Sequence, residues 1–224
     1  MGEAIGAVLA YAVGVGISPI PIIAVVLMLF SKRAKANGPL FLIGWVLGLT
    51  VLVTAAYLLA GALDVGSSST ANEGVSWLKL VLGVLLLLLA GRKWRNRPKA
   101  GEEPTMPTWM AGIDEFSPAK AFGIAVVLSS VNPKNLMLGV GAAASLAQLG
   151  VAAGQATVAL AVFVVVGSSI VAMAVGYYLI GGARAQKGLG DLKAWMTLHN
   201  DAVMGVLFLV FAAVLISDGL GLRG

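Results

Sequence analysis

Ser129-Ser130-Val131-Asn132-Pro133-Lys134-Asn135 interrupts an apolar stretch that runs from about Ala121 to Leu146. A helix crosses a bilayer in about 20 residues, so the stretch is long enough to span one. Its middle is expensive in that setting. Proline removes a backbone donor and clashes with the preceding turn. A lysine at the centre of a membrane helix costs about 2.5–3.5 kcal/mol on insertion scales. The lysine therefore needs a partner or a polar cavity rather than lipid. Ile17-Ser18-Pro19-Ile20-Pro21 interrupts a second apolar stretch in the same way. Two proline-broken spans at matching places in two halves of a chain point to a transporter built from repeats, with its site where the breaks meet.

The composition agrees. The 224 residues are 59% hydrophobic and 11% charged, with a mean hydropathy of +0.95. A soluble domain is nearer 45–50% apolar and about 25% charged. No polar segment is long enough to build a soluble core, so the chain reads as an integral membrane protein. The net charge of +5 lies in short loops, where it sets orientation rather than binding nucleic acid. With no cysteine, thiol chemistry and cysteine metal sites are excluded. Glu3 and the missing basic n-region argue against a cleaved signal peptide, so the first span is expected to stay.

Six spans are predicted, over about Ala4–Phe30, Pro39–Leu63, Ser76–Gly91, Pro118–Gln148, Ala152–Ile180 and Leu198–Ile216. Lys32, Arg33 and Lys35 follow the first span. Asp64 and Glu73 follow the second, with no base. Arg92, Lys93, Arg95, Arg97 and Lys99 lie between the third and fourth, then Lys120 at the entry of the fourth. The connection after the fourth is uncharged, and Arg184, Lys187 and Lys193 lie between the fifth and sixth. Basic loops thus alternate with acidic or neutral ones. The positive-inside rule puts the basic loops in the cytoplasm and both termini outside. Trp45, Trp77, Trp94 and Trp195 lie mostly near span ends and read as interfacial belt anchors.

The halves echo each other. Tyr57-Leu58-Leu59-Ala60-Gly61 ends span two and Tyr178-Leu179-Ile180-Gly181-Gly182 ends span five. Gly83-Val84-Leu85 resembles Gly205-Val206-Leu207, which sets Lys79 in register with Asp201. With three spans per half, the second half must be inverted relative to the first. The predicted fold is therefore all-α: two inverted three-helix repeats, residues 1–91 and 118–224, joined by a cytoplasmic linker, 92–117. The linker carries Pro98, Pro104 and Pro107. Its Trp109, Met110, Ile113 and Phe116 have helical apolar spacing, with Asp114 and Glu115 on the other face. That spacing suggests a short helix lying in the cytoplasmic interface, or a plain connector. Ser117-Pro118 supplies an N-cap and a first-turn proline for span four.

Lys134 is the sharpest candidate for chemistry. It reads either as a fixed charge that receives an anionic group or as a structural lysine paired to a carboxylate or to carbonyls of span one. Asn132 and Asn135 line the same cavity or satisfy backbone groups freed by the kink. Ser18 joins them by its place at the first break, while Ser129 and Ser130 read as packing residues. Pro19, Pro21 and Pro133 are read as the helix breaks. Asp201 and its neighbour His199 are a proton-coupling pair or two interfacial residues. No glycine-rich phosphate loop, no His-Glu-x-x-His and no nucleophile elbow is present. The chain is expected not to be an enzyme and to use no metal or cofactor.

Ser18-Pro19-Ile20-Pro21, Leu27-Met28-Leu29-Phe30-Ser31, Asn37-Gly38, Gly44-Trp45-Val46-Leu47-Gly48 and Asn132-Pro133-Lys134-Asn135-Leu136 together resemble the glycolipid-addressing (GAP) family, with which the sulfolipid-addressing proteins belong. More distantly, the asparagine-proline-lysine run and the three-plus-three layout resemble the lysine-exporter (LysE) superfamily, whose thiol-dependent branch uses paired cysteines that this chain lacks. The resemblance implies a small bacterial inner-membrane protein that helps deliver large envelope glycolipids to the cell surface, beside larger lipid exporters. It brings no catalytic residues. The expected function is movement of a polar or anionic envelope lipid toward the outer leaflet. Export of a small solute such as an amino acid, and a non-transporting scaffold for a larger lipid exporter, are the alternatives. Small-residue runs such as Gly139 to Ala144 let helices approach closely or part, and small-residue faces permit a homodimer.

Overall fold

The computed structural model describes residues 1–63, 65, 69–96 and 108–221, and these are helical with no strand among them. Helices α1 (Gly2–Gly16) and α2 (Pro19–Phe30) are the halves of the first broken span, bent by 53°. Helix α3 (Ala34–Ala62) and α4 (Ser69–Arg95) follow, then a 3-10 segment, Thr108–Glu115. Helices α5 (Pro118–Ser130) and α6 (Pro133–Gln148) form the second broken span, bent by 56°. Helical structure then runs from Ala153 to Gly219 and turns at Gly182, whose φ of 53° favours glycine. The two sides of that turn are α7 (Ala153–Gly182) and α8 (Arg184–Gly219). Among the described residues four helices are long and apolar enough to cross a membrane, or up to six spans if each bent pair counts as one.

Glycines set the packing. On α3, Gly44 lies against the Phe122 carbonyl and Gly48 against Ser129 and the Val126 carbonyl of α5. The two helices therefore run parallel at close approach, through a Gly-x-x-x-Gly face. Gly139 of α6 continues that contact onto Leu52. Helix α7 crosses the other side: Trp45 of α3 donates to the Gly167 carbonyl at 3.2 Å, and Gly16 of α1 abuts Val166. Helices α4 and α8 run antiparallel, with Gly83 against Ile216 and Gly219 against Leu80. The second broken span thus packs on α3, the first on α7 and α8, and α4 pairs with α8. These directions gather the end of α2, the start of α3, the end of α4, the start of α5 and the turn between α7 and α8 at one end of the bundle. That end carries Lys32, Arg33, Lys35, Arg92, Lys93, Arg95, Lys120, Arg184, Lys187 and Lys193.

Several expectations change. Arg184, Lys187 and Lys193 are not in a loop. They form the first turns of α8, because Gly182 alone makes the turn and the residues after it are good helix formers. Helix α4 extends to Arg95, so Arg92, Lys93 and Trp94 belong to it rather than to the linker. Trp45 is fully buried and is not a belt anchor; Trp77, Trp94 and Trp195 are exposed. The segment Thr108–Glu115 is a 3-10 turn with Met110 and Ile113 buried in the core, packed against α2. The spacing of Met110, Ile113 and Phe116 is three, the 3-10 period, which aligns them on one face. Pro98, Pro104, Pro107, Arg97, Lys99 and Asp64 lie outside the described residues, as do the side chains of Trp109 and Asp114.

Candidate functional site

The two breaks meet. Helix α1 ends at Gly16, leaving carbonyls that no following turn can satisfy. Helix α6 begins at Pro133, where the missing N–H is no loss, with Asn132 as its N-cap accepting from the Lys134 amide at 3.0 Å. The negative end of one half-helix therefore faces the positive start of another.

Lys134 bridges them. Its Nζ donates to the Gly14 carbonyl at 2.6 Å, to the Ile17 carbonyl at 3.4 Å and to Ser18 Oγ. Ser18 Oγ in turn donates to the Val15 carbonyl at 2.8 Å. An ammonium has three donors, and all three are used. Lys134 is 3% exposed and Ser18 2%. Taking that charge from water is offset by three acceptors plus the C-terminal end of α1. Of the partners foreseen for Lys134, the carbonyls of span one are the ones it meets.

The second break is satisfied from within its own broken span. Asn135 Nδ2 donates to the Leu128 and Ser129 carbonyls at 3.1 and 3.2 Å, and Ser129 and Ser130 both donate to the Val126 carbonyl. With Pro19 set against Pro133, Gly14 matches Leu128 and Ile20 matches Lys134. The first broken span thus carries an apolar residue after its break, and its carbonyls are served across the bundle by the second broken span. Asn135 is fully buried and its Oδ1 has no partner. Pro19 and Pro21 are buried; Asn132 is half-buried and Pro133 exposed.

Asp201 and His199 are not brought together. Asp201 Oδ1 accepts from Lys93 at 2.6 Å and from Asn200 at 3.0 Å, while His199 stacks on Trp195 and bonds that residue's carbonyl. Both stand midway along α8, where Asp201 meets the end of α4.

At the opposite end a cluster escaped the sequence reading. Tyr11 of α1 donates to Asp218 Oδ2 at 2.8 Å, and Lys79 of α4, 3% exposed, donates to Gln148 Oε1 of α6 at 2.6 Å. Asp218 was placed beyond the last span, but α8 continues through it to Gly219. Its signal was a lone acid two residues past the apolar run, still in helical register. The cluster ties α1, α4, α6 and α8 together at that end. Correspondingly, α1 packs along α6, whereas α2 and α5 meet at only a few positions and the Thr108–Glu115 segment sits beside α2. Asn37 anchors that segment by donating to the Phe116 carbonyl at 3.0 Å.

No group of His, Cys, Asp and Glu among the described residues is arranged to hold a metal. No curated protein and no solved structure matches the chain. A family model described as Sap, sulfolipid-1-addressing protein, matches residues 8–221, all but the extreme ends and the whole of both breaks. The chain is a membrane protein that belongs to the sulfolipid-1-addressing protein family.

Proposed function

We propose that the chain is a non-enzymatic export factor of the bacterial inner membrane that moves a polar-headed or anionic envelope lipid toward the cell surface, by rocking two inverted three-helix repeats about the crossing of α1 and α6. The observation that carries this reading is the bridge from Lys134 to Gly14, Ile17 and Ser18. A charge placed where two half-helices meet at mid-bundle is the arrangement that transporter repeats use for substrate and coupling groups. The near-equal bends of 53° and 56° support the repeat. The unequal packing of the two ends supports a conformation closed at the α1/α6 end and parted between α2 and α5. With the basic loops in the cytoplasm and both termini outside, that conformation faces inward. Movement to the other state exchanges the carbonyls around Lys134 for the lipid's anionic head group, with Asn132, Asn135 and Ser18 beside it. The family name, which specifies a sulfolipid, supports an anionic head group.

The test is the lipid distribution in a strain lacking the protein. Wild type is expected to restore surface lipid; Lys134→Ala, inserted at equal level, is expected to leave it inside. Full restoration by Lys134→Ala overturns the site. One observation favours a second reading, that of a scaffold for a larger lipid exporter: every donor of Lys134 is already taken within the chain. In that case Lys134→Ala exports normally and the loss follows disruption of a partner contact. A small-solute exporter, the distant lysine-exporter likeness, is the outcome if no lipid pool shifts in any strain.

A further inference from the structure

The seam between α4 and α8 is tight around Gly83 and opens toward the basic end. Near Gly83 and Gly219, side chains of the facing helix fill the space. Toward the basic end, Ala90 and Gly91 on α4 and Gly205 on α8 carry little or no side chain. They leave a groove of about 460 Å³ whose walls are Leu87, Trp94, Val206 and Leu209. That volume lies in the roughly 300–1,000 Å³ range of small-ligand sites. A Cβ at Gly91 meets nothing within 4 Å, so the groove floor is open there.

The groove is graded along its length. Leu87 lies about 12 Å below Arg95 along the helix, at 1.5 Å per residue. The deep end is wholly apolar. The upper end carries Arg95, the last residue of α4, beside the exposed Trp94. Lys93 is already paired with Asp201, whereas Arg95 has no carboxylate partner among the described residues. Two other grooves among the described residues lack this combination. The one between α3 and α7, lined by Thr50, Thr54, Thr157 and Val164, has no charge. The one beside Trp77 and Gly219 has Glu73, the wrong sign for an anion.

We infer that the groove between α4 and α8 is a binding site for an anionic membrane lipid, with an acyl chain along Leu87, Gly91, Val206 and Leu209 and the head-group phosphate or sulfate on Arg95. Basic pockets between membrane helices at the anionic leaflet recognise lipid head groups in this way. A guanidinium presents paired donors that fit such oxyanions. The inference is independent of the export reading: it needs only that the basic end of the bundle lie at a leaflet containing anionic lipid.

The experiment is native mass spectrometry of the full chain in detergent with equal amounts of phosphatidylglycerol and phosphatidylcholine of identical acyl chains. Wild type is expected to retain phosphatidylglycerol about fivefold over phosphatidylcholine, the contribution of one basic group at an anionic surface. Arg95→Gln is expected to keep bound lipid but lose the preference. Gly91→Phe, whose Cβ has open space and whose ring would fill the groove, is expected to lose both adducts. Val206→Trp fills the groove from α8 and replaces Gly91→Phe if that variant fails to fold, folding being read from its melting temperature. An unchanged preference in Arg95→Gln overturns the inference. So do wild-type adducts in a folded filled-groove variant, which would mark the lipid as unspecific annular binding.

Discussion

Lys134 Nζ, in the first turn of α6, donates at 2.6 Å to the carbonyl of Gly14, 120 residues earlier and near the end of α1. The contact joins the two proline breaks, and it makes the stability of each dependent on the other. Replacing Lys134 by methionine keeps the volume and removes the donors. The Gly14 and Ile17 carbonyls then lose their side-chain donor. Hydrogen bonds to a charged group contribute about 1.5–3 kcal/mol, and a stranded buried acceptor costs about 1–3 kcal/mol. Lys134→Met is expected to lower the melting temperature of the detergent-purified protein clearly. Unchanged melting contradicts the bridge.

The asparagines should separate by burial. Asn135→Ala strands the Leu128 and Ser129 carbonyls and is expected to cost about 1–3 kcal/mol. Asn132→Ala removes an N-cap on a half-buried residue and is expected to cost about 1 kcal/mol. Thermal unfolding of the two variants side by side checks the order, and a larger loss at Asn132 contradicts it.

Much of this was legible in the chain because membrane helices announce themselves by hydropathy and breaks by proline. Pro19 and Pro133 located both bends within a residue, and the alternation of basic loops matches the one basic end of the bundle. The partner of Lys134 was legible only as a set of alternatives, since the partner lies 120 positions away and nothing local to either break selects it. Trp45 misled because its place in the sequence near a span start says nothing about which face of α3 it occupies; α7 covers that face. Asp218 was missed because apolarity ends before it while helical hydrogen bonding does not. The groove at Gly91 and Gly205 needed two helices in place before it existed.

Gly44 and Gly48 hold α3 against α5. A Cβ on Gly48 collides with Ser129 Oγ and comes within 2.9 Å of the Val126 carbonyl, a backbone atom that cannot swing away. Gly48→Ala is expected to cost about 1–3 kcal/mol by overpacking. Gly61, whose Cβ meets nothing within 4 Å, is the control, and Gly61→Ala is expected to be neutral or slightly stabilising. Equal melting of Gly48→Ala and wild type contradicts the close approach.

Two contacts of α8, one near its end and one midway along it, offer a contrast in ion chemistry. Tyr11→Phe and Asp218→Asn remove the two sides of a link between α1 and α8, and a double-mutant cycle is expected to give a coupling of about 1 kcal/mol. Lys93–Asp201 is partly exposed, so Asp201→Asn is expected to cost less than about 1 kcal/mol and to leave lipid export intact. Loss of export in Asp201→Asn at normal expression makes that residue a coupling group instead.

The central claim is that α1 and α6, rocking about their crossing at Lys134, must part at their Tyr11–Gly141 end for lipid to move. The chain has no cysteine, so a pair placed at Tyr11 and Gly141, which face each other across these helices, can be joined by a short reducible thiol cross-linker at one place only. Surface lipid would be measured in cells carrying the double variant, cross-linked and then reduced. The account predicts that export stops in the cross-linked state and returns to the variant's own uncross-linked level on reduction. Equal export in both states would contradict it, and would leave the crossing of α1 and α6 as a fixed strut.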